Sequence, residues 1–587
     1  MCGITGYVGE KEAAPILVEA MKRLEYRGYD SAGVATISDS LNVRKDVGEI
    51  DDIEESLKLS RMPGNLGIGH TRWATHGKPS QENAHPHTSD SGEIAVVHNG
   101  IIENYLELKE KLEKKGFSFE SETDTEVIAH LIENESGDFE EAARKAFKKL
   151  KGSFAIAVIN LDEPDKIIAA RNKSPLIIGL GKGENFVASD MPAFLKYTKK
   201  ALIMQNGEYA VVTKEFAEIR DIKDGKHIER GIHEINWDSE SAEKSGYDYF
   251  ALKEINEIPD AVEKTLATSN EIKETVEKIK KFEKIIFVAS GTSYHAALFG
   301  KHLFESVAKR MPHAVLASEF SDEFAGLIDN ETLVIAISQS GETADVLSAI
   351  SSAKKNGAKV LGITNCLGSS ITRKADFYCH TKAGPEVAVI ATKTFVSQLI
   401  VLYLLAHYSA GKEIDLNKIP ELQRKTLEEV EDQIKDIADR IKDSKSVYFI
   451  GRGLAHPLIL EGALKLKEIS YIHAEGMPAG ELKHGTLSLI EDGVPVIAAL
   501  TQDSYDKTIS NIEEVKARGG YIIAVSNKKD DSIDKHSDIS VKVPETEPIL
   551  YPLLQIIPLQ LLAYYTTVIR GLSPDKPRNL AKSVTVE

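Results

Sequence analysis

The chain has 587 residues, with 72 Lys and Arg against 90 Asp and Glu, a formal net charge of -18 at pH 7. That length exceeds one ordinary core and predicts three or four domains, and the acidic balance excludes a nucleic-acid binder or a protein that clings to anionic membranes. Three cysteines, Cys2, Cys366 and Cys379, give no disulfide framework and no paired metal spacing, which predicts a reducing, cytoplasmic setting.

The second residue is Cys2. With Met1 removed, its thiol and a free α-amine belong to one residue, and because the α-amine titrates near pH 8 it can take the thiol proton, joining nucleophile and base. The competing reading is a small residue opening a buried strand. From Cys2 to about Trp237, alternating or β-branched runs at 93–98, 154–159 and 209–212 predict strands separated by turns, an α+β sandwich. Four features there fit acyl transfer: Cys2, the run His70-Thr71-Arg72-Trp73-Ala74-Thr75-His76-Gly77, the triplet His98-Asn99-Gly100, and Thr123-Asp124. A thiolate attacking a carboxamide creates an oxyanion, and the Asn99 amide with the Gly100 N–H supplies two donors for it. Arg72 can fork onto an α-carboxylate and Asp124 can hold an α-ammonium. Each also has a purely structural reading: a turn at Asn99-Gly100, a helix cap at Asp124, core packing for Trp73. The histidines at 70, 76, 85, 87 and 98 lack a carboxylate at ligand spacing, so no metal is expected.

Cys2-Gly3-Ile4 with 72–77 and 98–100 resembles the N-terminal-nucleophile glutamine amidotransferases over the whole first domain. The resemblance implies their four-layer fold, a glutamyl thioester on Cys2, an oxyanion hole of Asn99 and Gly100, and glutamine held by Arg72, Trp73, Thr75, His76, Gly77 and Asp124. It also implies that Trp73 gates an ammonia channel.

The polar segment 238–246 interrupts this pattern and marks an interdomain linker. Beyond it, strand, Gly/Ser turn and helix alternate as in a doubly wound parallel sheet, first at 284–293 and 332–343, then at 446–453 and 494–503. Ser290 to Ser338 is 48 positions and Gly451 to Leu500 is 49, which predicts two tandem copies of one α/β unit. The expected domains are therefore 2–237, a linker at 238–257, 258–425, 426–573, and a tail at 574–587. The most apolar stretch, 549–569, is interrupted by Pro552, Gln555, Pro558 and Gln560 and reads as a buried helix, not a membrane span.

No phosphate loop of the G-x-x-x-x-G-K-[ST] kind appears, so the ammonia acceptor is expected to be electrophilic already, and a sugar carbonyl fits. Ser338-Gln339-Ser340-Gly341-Glu342-Thr343 lies between an apolar strand and a helix, where hydroxyls, amides and helix dipole converge on an anion such as a phosphate monoester; the alternative is a capping box. Ala289-Ser290-Gly291-Thr292-Ser293 occupies the paired position of the same sheet. In the second copy, Thr501-Gln502-Asp503-Ser504 has lost the Ser-x-Ser arrangement and is not expected to bind phosphate. Lys465 and Glu468 read either as an i,i+3 surface pair or as proton-transfer groups, with His484 suited to ring opening.

Both copies resemble sugar isomerase (SIS) domains, and their arrangement behind a glutaminase resembles the glutamine–fructose-6-phosphate aminotransferase family over essentially the entire chain. That resemblance implies synthesis of glucosamine 6-phosphate from L-glutamine and fructose 6-phosphate, without cofactor or metal, in a cytoplasmic homodimer that contributes His484 across its interface. It assigns Lys582 to a Schiff base with the ketose, Glu468 to C1–C2 proton transfer, Lys465 to assisting it, and His484 to ring opening. Thr292, Ser293, Ser338, Gln339, Ser340, Thr343, Val389 and Ala581 are implied to hold the sugar phosphate. The chain departs from the family pattern at Ser290, Pro385, Ala391 and Met477-Pro478, none of them an assigned catalytic group. Two rivals are a phosphosugar deaminase or deglycase, which has no use for Cys2 and Arg72, and a phosphosugar-sensing regulator, in which Lys582 would be idle.

Overall fold

The computed structural model describes residues 2–74, 76–235 and 244–584. It divides into two compact units, Met1–Ala242 with Ala581–Glu587, and Glu243–Leu580. The expected boundary at Trp237 and the linker residues 238–243 lie outside the described residues.

The first unit holds an eight-stranded and a seven-stranded sheet whose pairings are antiparallel. Period-2 alternation explains why both are covered on two faces. In the strands Ile94–Ile102 and Gly152–Asn160, Val96, Ile156 and Val158 pack with the helices Glu126–Glu133 and Phe139–Lys149. Their neighbours Ala95, Val97, Ala155, Ala157 and Ile159 pack with Ile4, Val8, Ile37, Leu66 and Ile68 of the other sheet. That sheet's far face, with Tyr7, Ala32 and Val34, is covered by Ala13–Leu24. The order is helix, sheet, sheet, helix, the four layers expected. Register then sets the site: Gly3 pairs with Thr71, and Ser31 with Arg72, so Cys2 and Trp73 emerge side by side at one sheet end.

The second unit contains two five-stranded parallel sheets. Their orders are the same: the second strand, then the first, third, fourth and fifth of each half, beginning with Lys284–Ala289 in one and Ser446–Gly451 in the other. The tandem repeat read from spacing is thus a repeat of topology. In this order the chain reverses direction of winding between the first and third strands, and the crevice at their carboxyl ends is where such sheets take ligands. Residues 290–293 and 338–343 lie at those two strand ends.

One apolar core joins the halves, built on the helices Thr292–Ser306, Lys393–Ser409, Ala455–Ser470 and Pro552–Ile569. The last belongs to the apolar stretch read as a buried helix. It is long and apolar enough to cross a membrane, yet 83% of its most apolar window is buried inside the protein. Its amides find protein partners, Gln555 Nε2 donating to the Leu500 carbonyl at 2.8 Å and Gln560 Nε2 to the Thr392 carbonyl at 3.4 Å.

Candidate active sites

In the first unit, Cys2 is half-buried. Its Sγ accepts from the Trp73 N–H at 3.3 Å and faces the Trp73 carbonyl at 3.5 Å. Burial pushes the thiol up, while the Trp73 amide and the Arg72 guanidinium favour the thiolate. Arg72 Nη2 donates to the His76 carbonyl and, at 3.2 Å, to the Gly77 carbonyl, so it holds the loop that follows its own strand. Its Nη1 is buried with no hydrogen-bond partner among the described residues. A buried, unanswered guanidinium N–H is a donor set for a carboxylate. Asp124 is buried and its Oδ2 accepts from the Ile102 N–H at 2.7 Å. It does not cap the helix, which begins at Glu126 behind Thr125 with no side-chain cap. His76 sits edge-on to Tyr105. Thr75 lies outside the described residues.

Asn99 and Gly100 lie inside the Ile94–Ile102 strand, not in a turn. Gly100 has φ +122°, and a Cβ there would fall 2.0 Å from the Ser153 carbonyl oxygen, so only glycine fits. Asn99 Nδ2 donates to the Cys2 carbonyl at 2.8 Å and to Ser189 Oγ at 2.9 Å. The four features singled out in the sequence therefore converge at one strand end.

Arg27, Asp30, Ser189 and Asp190 also brace this site and were not singled out in the sequence. Arg27 Nε reaches the Cys2 carbonyl at 3.4 Å, and its Nη1 is held by Asp190 at 2.9 Å. Asp30 Oδ2 accepts from the Ala74 N–H at 2.8 Å, bracing the loop beside the thiol. Ser189 Oγ accepts from both Asn99 and the Ile4 N–H. A buried Arg27 between apolar strand and helix was the signal available.

The second unit's site is a chain of charges. Lys465 is 1% exposed, so it is no surface residue, and its Nζ donates to Glu468 at 2.7 Å and to Thr292 Oγ1 at 3.0 Å. Glu461, fully buried, lies 3.3 Å from the same Nζ. Its carboxylate also accepts from Thr292 Oγ1 at 3.0 Å and from His295 Nδ1–H at 2.7 Å, so residues of the two halves meet on it. Burial alone would lower the Lys465 amine, but the Glu461 and Glu468 carboxylates override it and hold the amine well above its ordinary range. Burial would likewise raise Glu461, and Lys465, His295 and Thr292 hold it down. Glu461 and His295 were not picked out in the sequence. Yet 461, 465 and 468 are spaced i, i+4, i+7 on one helix face, and three charges on a buried face demand partners.

The Ser338–Thr343 segment is a braced loop, not a capping box. Ser338 Oγ accepts from the Gly341 N–H at 3.0 Å and pairs with Thr343 Oγ1 at 2.9 Å. The Gln339 carbonyl accepts from the Asn365 N–H at 3.0 Å, and Glu342 accepts from the Ser370 N–H at 2.8 Å. Gly341 has φ +66°, and a Cβ there would lie 2.2 Å from Ser369 Oγ. The helix Ala344–Lys355 follows with no side-chain cap at Thr343, leaving its first amides for an anion. Thr292 spends its hydroxyl on Glu461 and Lys465, and Ser293 accepts from Gln398 at 3.1 Å. For these two, what remains to face an anion is the backbone N–H groups at the start of Thr292–Ser306, which has no side-chain cap. Val389 is anchored by its N–H to the Asp575 carbonyl at 3.1 Å. His484 ends a short 3-10 helix, Ala479–His484, and is exposed. Ala581 and Lys582 fall in the segment grouped with the first unit. Among the described residues no cluster of three or more His, Cys, Asp or Glu is placed to hold a metal.

Fold and sites together define a glutamine amidotransferase unit joined to a pair of sugar isomerase domains. The glutamine amidotransferase domain model matches residues 70–196, and the SIS domain model matches 278–408 and again 440–570. Over the full length of both chains, the sequence is 54% identical to a glutamine–fructose-6-phosphate aminotransferase (isomerizing) of Thermococcus kodakarensis. It is 51% identical to that of Methanothermobacter thermautotrophicus and 48% to that of Clostridium tetani, again over both full lengths. The solved C-terminal domain of the corresponding protein from Francisella tularensis superposes with a TM-score of 0.53 at 36% identity, covering 57% of this chain and all of that one. The chain belongs to the glutamine–fructose-6-phosphate aminotransferase (isomerizing) family.

Proposed function

We propose that this chain makes glucosamine 6-phosphate from L-glutamine and fructose 6-phosphate. The observation that carries the reading is that one chain, related over its whole length to proteins of that name, holds both a thiol beside an amide donor and a buried Lys–Glu pair at a sugar-isomerase crevice. Cys2, freed of Met1, attacks the glutamine carboxamide with its own α-amine as base. The oxyanion is met by Asn99 and Gly100, ammonia leaves, and water releases glutamate from the thioester. Arg72 takes the glutamine α-carboxylate and Asp124 its α-ammonium, with Trp73, Thr75, His76 and Gly77 shaping the pocket.

On the sugar side, His484 opens the ring and the Lys582 amine condenses with the C2 ketone, losing water. Ammonia displaces the lysine to give the C2 imine. Glu468 removes a proton from C1 and returns it to C2 while the C1 hydroxyl proton passes to the nitrogen, leaving an aldehyde at C1 and the amine at C2. Lys465, kept cationic by its two carboxylates, steadies the charge of Glu468 during that transfer. Thr292, Ser293, Ser338, Gln339, Ser340 and Thr343 take the phosphate, with Val389 and Ala581 beside the sugar. Ammonia is used before it meets bulk water, where near pH 7 it is protonated and not nucleophilic. The working form is a cytoplasmic homodimer that supplies His484 across its interface.

The test is to supply both substrates and follow amino sugar. Glucosamine 6-phosphate formed one for one with glutamate is the expected result, and glutamate without amino sugar would sink the proposal. Intact-mass measurement should find Met1 absent; a fully active chain that keeps Met1 would exclude the α-amine as base.

A further inference from the structure

The Asn99 carboxamide is symmetric in shape but not in chemistry, and something must decide which end faces the thiol. His70, fully buried, places Nε2 2.9 Å from Asn99 Oδ1 and 3.1 Å from the His98 carbonyl. Both neighbours are acceptors, so Nε2 carries the proton and donates. The Asn99 NH2 is then aimed away, onto the Cys2 carbonyl and Ser189 Oγ. A flipped amide would set NH2 against the His70 N–H and its oxygen against the Cys2 carbonyl, two repulsive contacts at once. The ring is itself held: it stacks on His85 at 4.2 Å, and His85 packs edge-on to His87 at 4.8 Å. His85 Nδ1 accepts from the His98 N–H at 3.3 Å, which fixes that ring's orientation too.

We propose that His70 is a positioning residue of the glutaminase, whose Nε2–H fixes the Asn99 carboxamide with its NH2 on the Cys2 side, where the N–H now given to the Cys2 carbonyl can turn to the oxyanion when glutamine is bound. The proposal rests on Asn99 acting as an oxyanion donor. Burial first, then the Arg72 charge, pushes the His70 ring down to about 3, so it stays neutral throughout the working pH range. A neutral ring adds no charge of its own and acts only through the amide it orients.

The experiment is a double-mutant cycle on glutamine hydrolysis, with alkylation of Cys2 by iodoacetamide as a readout that needs no oxyanion hole. Asn99→Ala and His70→Phe are each expected to lower kcat by on the order of 10²-fold, the scale of one lost oxyanion donor. KM for glutamine and the alkylation rate should stay near the parent values. In the Asn99→Ala background, His70→Phe should cost nothing further. His70→Gln, which carries an N–H at the reach of Nε2, should retain most of kcat, whereas His70→Asn, with its N–H nearer the backbone, should not. That pair decides the matter even where the Phe variant fails to fold. Full activity in His70→Phe, an undiminished further loss in the Asn99→Ala background, or equal impairment of the Gln and Asn variants would overturn the proposal. So would a fall in alkylation parallel to hydrolysis. Retained hydrolysis in Asn99→Ala would instead overturn the oxyanion reading beneath it.

Discussion

The groups that hold the Asn99 carboxamide itself are neutral dipoles, although the buried ions Arg27, Arg72 and Asp124 belong to the same site. His70 is held neutral with its ring proton assigned by its neighbours, burial depresses His85 and His87 as well, and the amide is gripped on both ends. Around Lys465 the buried groups are ions, an amine between two carboxylates with a histidine beyond. The difference follows the chemistry proposed for each. An oxyanion lives only through the transition state, so its partners should be fixed dipoles that cost no reorganisation when it forms. A proton carried from one carbon to the next needs a carboxylate kept ionised between turnovers, and a buried carboxylate stays ionised only beside a cation.

Removing each reacting group separately should have the largest effects. Cys2→Ala should lower glutamine-dependent amino-sugar formation by about 10⁴-fold or more, the scale of losing a covalent nucleophile, while conversion of fructose 6-phosphate to its aldose isomer persists. Loss of both activities in a folded protein would show that the two networks are not separate machines. Glu468→Gln should do the opposite, cutting the sugar step by roughly 10²- to 10⁴-fold with glutamine hydrolysis near normal. Assays of glutamate and of sugar phosphates on the same samples check both.

A smaller effect probes the ions themselves. Lys465→Met leaves Glu461 buried with only His295 and Thr292, and should cost about 3–5 kcal/mol of the second unit's stability, as broken buried pairs do. Calorimetry resolves it; an unchanged second-unit transition would mean that the amine is not what holds Glu461 ionised.

The smallest effect per group is one of pH. His70, His85 and His87 bind protons less readily folded than unfolded, so the unfolded chain takes up protons first as pH falls below about 6.5. The first unit therefore loses stability from about pH 6.5 down toward about 3, by up to about 1.4 kcal/mol per pH unit for each ring. Lys465 is shifted the other way, so its contribution is complete below its ordinary value of 10.5 and is lost only as pH rises through its elevated one. Melting curves at pH 7.5 and 5.5 should show the first unit, identified by protection with glutamate, losing stability at the lower pH, a change to which the Lys465 amine contributes nothing. A first-unit transition indifferent to pH would contradict neutral, desolvated rings.

Much of this was legible beforehand, for local reasons. Strands such as 94–102 and 152–160 announce themselves by alternation, because successive side chains point to opposite faces. The repeat in the second half was legible because each copy spends nearly the same number of residues on one strand–helix–strand unit. Single dipeptides were read less well. Asn99-Gly100 has the composition of a hairpin turn and lies in a strand, since Ser153 crowds the glycine and leaves no room for any other residue. Lys465 and Glu468 have the spacing of a surface pair, yet Lys465 is buried and Glu468 half-buried, because the helix that carries them packs into the core shared by the two halves.

By itself, the sequence determined which residues could do chemistry and in what order the elements come, because hydrophobic period, glycine placement and side-chain type are properties of a few neighbouring residues. The tertiary structure alone decided how those groups are paired. Glu461 meets Thr292, 169 positions away, only because two parallel sheets share one core. Asn99 points its NH2 toward Cys2 only because His70, on a strand of the opposite sheet, turns a proton toward its oxygen. Direction and partnership of a hydrogen bond depend on what burial brings face to face, and no local pattern of residues carries that information.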